Sequence, residues 1–154
     1  MMNVSLQPIG EHQRHILENL FPFYIYDMSE YMGWGPNGDG CYPYDNCNFD
    51  VYWQRDDHFP FFIYCNEQLA GFVLVRKYPN DRERYDIAQF FILRKFKRQG
   101  IGTEVLHQVL NRFRGKWQVR VLLENHGALN FWQKAISNVQ IATSKNVSDW
   151  MWIW

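Results

Sequence analysis

A basic turn with two glycines near the middle of the chain has the residues needed to bind a phosphate group. It follows an apolar stretch that ends at Leu93, and residues 94–103 read RKFKRQGIGT. If a helix begins here, its first backbone N–H groups lack intrahelical partners and its dipole adds positive charge. Glycine lets the backbone approach a ligand closely, and the four basic side chains attract anions. The segment predicts an anion-binding turn, with an ordinary solvated loop as the alternative.

Two common phosphate-binding motifs do not fit this turn. A P-loop ends in Gly-Lys-Ser/Thr, and the dinucleotide fingerprint needs a third glycine where this chain has Val105. The turn instead resembles the Gln/Arg-x-x-Gly-x-Gly/Ala signature of the GNAT acetyltransferases, which is matched over residues 97–102. Lys97 departs from that signature, because it keeps the charge of Arg but lacks the guanidinium fork.

A second segment resembles the same family. Residues 125–134 read NHGALNFWQK, which is similar to the family's Asn-x-x-Ala-x-x-Phe-Tyr-x-Lys segment and follows the turn at the expected distance. The resemblance implies an α/β (α+β) GNAT fold in one domain over residues 1–154. Its mixed central sheet would have about six to seven strands and about four flanking helices. The sheet would be splayed between the strands that end near Leu93 and Glu124.

The resemblance also implies that acetyl-CoA is the cofactor and lies between those two strands. Backbone groups of Phe91, Ile92 and Leu93 would pair with the pantetheine arm, as an added strand would. The N–H groups of the turn would hold the pyrophosphate. These groups belong to Arg98, Gln99, Gly100, Ile101, Gly102 and Thr103. Asn125 and Asn130 match positions that often touch the cofactor, with a helix cap and plain exposure as their respective alternatives.

The chemistry implied is attack of a neutral amine on the thioester carbonyl. Backbone N–H groups near Phe91 or Ile92 would stabilise the oxyanion. The family often places Glu on the strand before the turn, but this chain has Gln89, which orients a water and cannot act as a base. Asp86 is therefore a candidate proton acceptor through solvent, with a strand-end residue that faces water as the alternative. Asp27 and Glu30, on the substrate side, are further candidates for the same task.

A second departure concerns the leaving thiolate. Many relatives protonate it with the Tyr of the Phe-Tyr-x-Lys segment, whose place is taken here by Trp132. An indole N–H donates a hydrogen bond but is not an acid near neutral pH. Catalysis would then depend mainly on positioning. The histidines at 58, 107 and 126 are weaker candidates for the missing acid or base.

Charge is divided unevenly along the chain. Net charge is zero, yet residues 1–57 carry nine acidic and two basic side chains, so the remainder carries a net +7. In the acidic part, Tyr26, Asp27, Glu30 and Tyr31 combine rings and carboxylates, which suits a cationic amine. The alternative is that the rings are core and the acids are surface. Aminoglycosides, polyamines, amino-acid derivatives and protein amines all fit as acceptors. A non-catalytic acyl-CoA-binding sensor is the alternative function.

Composition limits the other possibilities. The chain has 154 residues, 47% of them apolar, and no apolar run of the roughly 18 residues that a membrane span needs. The N-terminus lacks a signal-peptide pattern, so we expect a cytoplasmic protein without a membrane partner. Positive charge clusters at one turn, which argues against nucleic acid as a partner. The three cysteines predict reduced thiols and no metal site. The aromatic segment 150–154 allows a homodimer through strand pairing.

The periodicity predicts the elements that must position these residues. Apolar spacing predicts a pair of helices with a bend at Pro22, a hairpin connection over 66–70 and a charged loop over 79–84. Predicted strands cover 3–9, 59–65, 71–75, 86–93, 117–123, 139–142 and 150–154, and later helices cover 105–113 and 128–136.

Overall fold

The computed structural model describes residues 2–42, 44–79, 81–121, 124–138, 144–146 and 150–153. Within these residues the strands are β1 (Val4–Pro8), β2 (His58–Cys65), β3 (Gln68–Tyr78), β4 (Asp81–Ile92), β5 (Lys116–Val121), β6 (Ser144–Asn146) and β7 (Trp150–Ile153). The helices are α1 (Arg14–Met32), α2 (Val51–Gln54), α3 (Ile101–Arg112) and α4 (His126–Asn138). Short 3-10 turns cover Glu11–Gln13, Asn46–Phe49 and Arg94–Phe96.

The strands form one mixed sheet in the order β1-β2-β3-β4-β5-β7-β6. The β4–β5 pair is parallel and the other pairs are antiparallel. Alternate residues of each strand face opposite sides, and both sides are covered. Helices α3 and α4 pack on one face, and α1 and α2 pack on the other. The predicted α/β fold with a mixed central sheet is confirmed. No helix within the described ranges is long and apolar enough to cross a bilayer.

The prediction of two helices with a bend at Pro22 is wrong, because α1 continues through this residue. Proline has no N–H, so the carbonyl of Glu18, four residues earlier, loses its helical donor. The hydroxyl of Tyr44 donates to that carbonyl oxygen at 2.7 Å. A side chain from the loop after α1 therefore replaces the missing hydrogen bond, and the helix needs no break.

We expect Tyr44→Phe to lower the free energy of unfolding by about 1 kcal/mol, because the Glu18 carbonyl loses its donor. Urea unfolding measures this change. The matched background is Pro22→Ala, in which residue 22 regains an N–H for the same carbonyl. In the Pro22→Ala background, Tyr44→Phe should lower the free energy of unfolding by a smaller amount. Equal costs in the two backgrounds would show that Tyr44 does not compensate for Pro22.

The hairpin of β3 and β4 is longer than predicted. The expected charged loop over 79–84 is wrong, since β4 begins at Asp81 and the ladder reaches Tyr78 opposite Asp81. Arg84 pairs with Asp81 at 3.1 Å, whereas Arg82 pairs with Asp57 and Glu83 with Lys116. The β2–β3 connection is also tighter than predicted. Asn66 and Glu67 have φ of 51° and 66°, which is the geometry of a two-residue hairpin turn.

The C-terminal strand β7 lies inside the sheet. It pairs with β5 on one side and with β6 on the other. Both of its edges are therefore occupied, and the predicted dimer contact cannot form through this strand's backbone. The homodimer itself stays a prediction. The strand predicted over 139–142 lies outside the described residues.

Candidate functional site

The parallel strands β4 and β5 separate part-way along their length. Their pairing runs from Arg84 opposite Lys116 to Asp86 opposite Gln118, and within the described residues it goes no further. Ile87–Ile92 of β4 therefore leaves one edge unpaired toward β5. A cavity of about 540 Å³ lies at this separation. The splay predicted from the sequence is confirmed, and it exposes a strand edge to which an extended ligand can add.

A β-bulge in β4 determines which side chains face the cavity. Val75 pairs with Ile87, but the next residue of β3, Leu74, pairs with Gln89, so Ala88 is an extra residue. An extra residue shifts the alternation of the strand by one position. Asp86 and Gln89 consequently share the α1/α2 face although they are three residues apart. Without the bulge, one of these two side chains would point into the core on the α3/α4 face.

Two predicted catalytic residues line the larger cavity. Gln89 is half-buried and makes no side-chain hydrogen bond to another described residue, so its amide is available to a ligand or water. Trp132 is only 6% exposed, with its ring 5.8 Å from that of Phe90. The structure brings these side chains to one cavity, and their catalytic roles remain predictions.

The third predicted catalytic residue, Asp86, is 1% exposed, so the alternative of a residue facing water is wrong. Arg76 Nε donates to its carboxylate at 2.9 Å, and Gln118 Nε2 donates at 3.4 Å. His58, Arg76, Asp86 and Gln118 occupy paired positions across four strands. Asp86 lines neither cavity, and its carboxylate forms an ion pair with Arg76. Its predicted part in proton transfer stays a prediction.

The predicted anion-binding turn has the geometry that its sequence indicates. Gly100 adopts φ 80°, a left-handed conformation that glycine reaches without strain, and α3 begins directly after it. Gly100 is the N-cap residue and offers no side-chain cap. None of the N–H groups of residues 98–103 donates to an acceptor in the described part of the chain. These donors are therefore free to bind an anion.

Gly102 has a packing role that the sequence did not reveal. A Cβ atom placed there would lie 2.8 Å from Cε1 of Phe131 on α4. The first turn of α3 and the ring of Phe131 therefore need a residue without a side chain between them. Gly100, in contrast, needs glycine for its backbone angle, since a Cβ there would meet nothing within 4 Å. The two glycines of the motif serve different purposes.

The acidic residues predicted to bind the acceptor lie near the turn instead. Asp27 accepts from Arg94 Nη2 at 2.7 Å, and Lys97 Nζ lies 3.6 Å from its other oxygen. This carboxylate ties α1 to the turn and neutralises part of the turn's charge. Tyr26 is 52% exposed. None of Tyr26, Asp27, Glu30 and Tyr31 lines either cavity, and their role in acceptor binding stays a prediction.

Asn125 caps helix α4 and also lines the larger cavity. Its Oδ1 accepts from the N–H of Ala128 at 3.1 Å, so the alternative of a helix cap is correct. The residue also lines the larger cavity, which keeps it in reach of a cofactor. Asn130 is exposed and lines neither cavity. Cofactor contacts of both residues, and those of Phe91, Ile92 and Leu93, remain predictions.

A smaller cavity of about 280 Å³ adjoins the larger one on the α1/α2 face. Both are lined by Gln89 and Arg120, and the smaller one also by Tyr52, His58 and Arg76. Sequence reasoning missed Arg120 and Arg76. A signal for Arg120 was available, since the strand KWQVRV alternates polar residues at 118 and 120 with apolar ones.

Two tyrosines at the cavity walls have raised pKa values. Burial raises the pKa of Tyr24 to about 12. Burial also raises the pKa of Tyr52 well above its usual range, with smaller opposing effects from Arg76 and Asp86. Both phenols therefore keep their protons at neutral pH. Tyr24 lines the larger cavity and Tyr52 the smaller one.

His58 is held by an acidic neighbour. Its Nδ1 lies 2.7 Å from Asp57, which also accepts from Arg55 at 2.8 Å and contacts Arg82 at 3.0 Å. The hydrogen bond from Arg55 lowers the pKa of Asp57 well below its usual range, although burial acts in the opposite direction. A carboxylate anchored in this way fixes the imidazole ring at the wall of the smaller cavity.

The lowered pKa of Asp57 predicts a pH-dependent contribution to stability. A carboxyl group whose pKa is depressed on folding stabilises the protein above its unfolded pKa of about 4. This contribution is lost as the pH falls through the lower, folded pKa. The difference in unfolding free energy between wild type and Asp57→Asn should therefore shrink below about pH 4. Urea unfolding at a series of pH values measures it, and a difference independent of pH would contradict the assignment.

Comparison with known proteins places these features in a family. A family model described as Acetyltransferase (GNAT) family matches residues 20–136. No curated protein matches in sequence. Among solved structures, an acetyltransferase from Thermus thermophilus has 14% identity and a TM-score of 0.74, over 99% of this chain and 96% of that one.

Two further similar structures contain coenzyme A. An aminoglycoside acetyltransferase in complex with coenzyme A has 14% identity and a TM-score of 0.69, over 99% of this chain and 94% of that chain. A spermidine N-acetyltransferase from Vibrio cholerae, in complex with CoA and spermine, has 11% identity and a TM-score of 0.66, over 97% and 92%. At these identities the structures show a shared fold.

Proposed function

The chain belongs to the GNAT acetyltransferase family, and on this premise we propose that it transfers an acetyl group from acetyl-CoA to a small amine. An alkyl amine is a cation in water at neutral pH, with a pKa near ~10. It must lose a proton before it attacks the thioester. The similar proteins that act on aminoglycosides and spermidine support an amine as acceptor.

The observation that carries the proposal is the unpaired edge of β4 beside the free N–H groups of the turn. The pantetheine arm adds to this edge as a strand would, at Phe91, Ile92 and Leu93. The pyrophosphate then binds the N–H groups of residues 98–103 at the start of α3. The thioester thereby enters the larger cavity from the α3/α4 side, and the amine enters from the α1/α2 side.

In the transfer, the amine nitrogen forms a bond to the thioester carbon and the carbon–sulfur bond breaks. Backbone N–H groups on the unpaired edge of β4 stabilise the oxyanion. Gln89 orients the amine or a water. The proton of the amine passes through the smaller cavity to solvent or to His58. Tyr24 and Trp132 donate hydrogen bonds to the thiolate, which takes its proton from water.

Thiol release from acetyl-CoA with a panel of amines tests the proposal. We expect Gln89→Ala to lower kcat by about ten- to a hundredfold, because positioning and proton transfer are impaired, while the KM for acetyl-CoA changes little. Gln133→Ala, on the exposed side of α4, is the matched control. A Gln89→Ala enzyme with unchanged kcat would remove Gln89 from the mechanism.

A second candidate is an acyl-CoA sensor of the same fold. It is favoured by one observation, since Gln89 is not a base and Trp132 is not an acid. Tight binding of acetyl-CoA with no thiol release on any amine would support the sensor. Turnover on any member of the panel would exclude it.

A further inference from the structure

We propose that the acceptor carries an anionic group, a carboxylate or a phosphate, close to its amine, and that Arg120 binds this anion. The inference rests on the proposed function and names the class of its substrate. It goes against the polycationic acceptors that the acidic N-terminal part of the sequence suggested.

The charges at the two cavities carry the inference. Among the described residues that line the larger cavity, Arg120 is charged and none is Asp or Glu. The smaller cavity adds Arg76 and His58, and its single lining carboxylate among the described residues, Asp45, is exposed and has its own partner. A polycation needs several free carboxylates around it. The described wall of the larger cavity instead has Arg120 and no carboxylate.

The carboxylates close to these walls are already paired with other side chains. Asp86 holds Arg76, and Asp57 holds Arg55 and His58. Asp27, the residue that the sequence favoured for the acceptor, is paired with the turn. Each of these acids is thereby committed to an ion pair within the protein.

Arg120 differs from Arg76 because no described carboxylate pairs with it. Its guanidinium lies 5.4 Å from the ring centroid of Tyr78, which fixes the side chain from one side and leaves its donors open. The planar guanidinium matches a carboxylate or phosphate through two parallel hydrogen bonds. An exposed arginine without a carboxylate partner among the described residues, at the wall shared by both cavities, is therefore a site for an anion.

The register of the strands places this site beside the reaction. Gln118 is opposite Asp86 on the α1/α2 face, and Arg120 follows two residues later on the same face, just beyond the point where β4 and β5 separate. Gln89 lies on β4 beyond the same point. When the anionic group of an acceptor binds Arg120, its amine lies near Gln89 only if amine and anionic group are a few bonds apart in the acceptor. Amino acids and aminoalkyl phosphates carry an amine and an anionic group at this separation.

The test compares matched acceptors by thiol release with the full chain. The pairs are an amino acid with its uncharged amide, an aminoalkyl phosphate with the corresponding amino alcohol, and spermidine as the polycation. For wild type we expect kcat/KM to favour the anionic member of one pair. In Arg120→Gln the ratio of kcat/KM between the two members should fall by about tenfold or more. Arg120→Lys should retain part of the preference, and Lys116→Gln, at the other end of β5, should keep all of it.

The outcomes separate the inference from the proposed function. Preference for spermidine or for the uncharged members, or a ratio unaffected by Arg120→Gln, would overturn the inference and leave the acetyltransferase proposal standing. If no amine is turned over, the proposed function fails. The anion site is then decided by calorimetric binding of the N-acetyl amino acid and the aminoalkyl phosphate to the CoA-loaded protein. Binding that Arg120→Gln abolishes supports it, and no binding, or equal binding, refutes it.

Discussion

Replacing Ala128 by tryptophan is expected to weaken acetyl-CoA binding by about a hundredfold, or about 3 kcal/mol. Ala128 lies in the first turn of α4, and its methyl group lines the larger cavity at the separation of β4 and β5. An indole in this place occupies the space that the pantetheine arm needs. The N–H of residue 128 still reaches Asn125, so the cap of the helix is retained.

Isothermal titration with acetyl-CoA measures this loss. The matched control is Gln133→Trp, which adds the same side chain to the exposed side of the same helix and should bind acetyl-CoA as wild type does. Thermal unfolding of both variants shows whether they are folded. Wild-type affinity in a folded Ala128→Trp protein would place the cofactor outside the cleft, and the proposed orientation of both substrates would fall with it.

Replacing Asp86 by asparagine is expected to lower the free energy of unfolding by about 3 kcal/mol. The carboxylate is 1% exposed and Arg76 is its partner, with the side chain of that arginine 24% exposed. Removing the carboxylate charge leaves the half-buried guanidinium of Arg76 without a compensating negative charge. This cost is mainly the penalty of the orphaned arginine rather than the net value of the pair.

Two further variants make this prediction specific. In Arg76→Met/Asp86→Leu both charges are replaced by apolar groups, and most of the lost stability should return. Glu83→Gln removes an exposed charge that pairs with Lys116 at 3.4 Å, and it should cost less than about 1 kcal/mol. Urea unfolding compares all four proteins. A single Asp86→Asn change that costs no more than Glu83→Gln would show that the buried pair is not structurally important.

The local elements were predictable because their causes lie within a few residues. Gly100 ends a turn that needs φ above zero, and the stripe on α3 recurs at helical spacing, so both could be recognised in the sequence. The exceptions had partners that are distant in sequence. Pro22 does not break α1 because Tyr44 donates a hydrogen bond to the Glu18 carbonyl. Tyr44 lies 26 residues after Glu18, so no local sequence pattern predicts this contact.

The candidate site was predictable in part. The turn, Gln89, Asn125 and Trp132 carry motif positions and were found, and the structure brings the last three to one cavity. The acceptor residues stay a prediction, because charge by itself does not show which acids are already paired within the fold. Asp27, for example, accepts a hydrogen bond from Arg94, which lies 67 residues away in the sequence.

The sequence by itself determined the family, most of the element order and the glycine turn before α3, because backbone sterics and helix N-termini act over short stretches of chain. Only the tertiary structure decided the rest. The extra residue Ala88 turns Gln89 toward the cavity, Asp86 neutralises Arg76, and Arg120 is left as the open cation among the residues described at the cavity walls. These outcomes depend on strand register and on which charges meet across the sheet. Register is a property of paired strands, so no single segment specifies it.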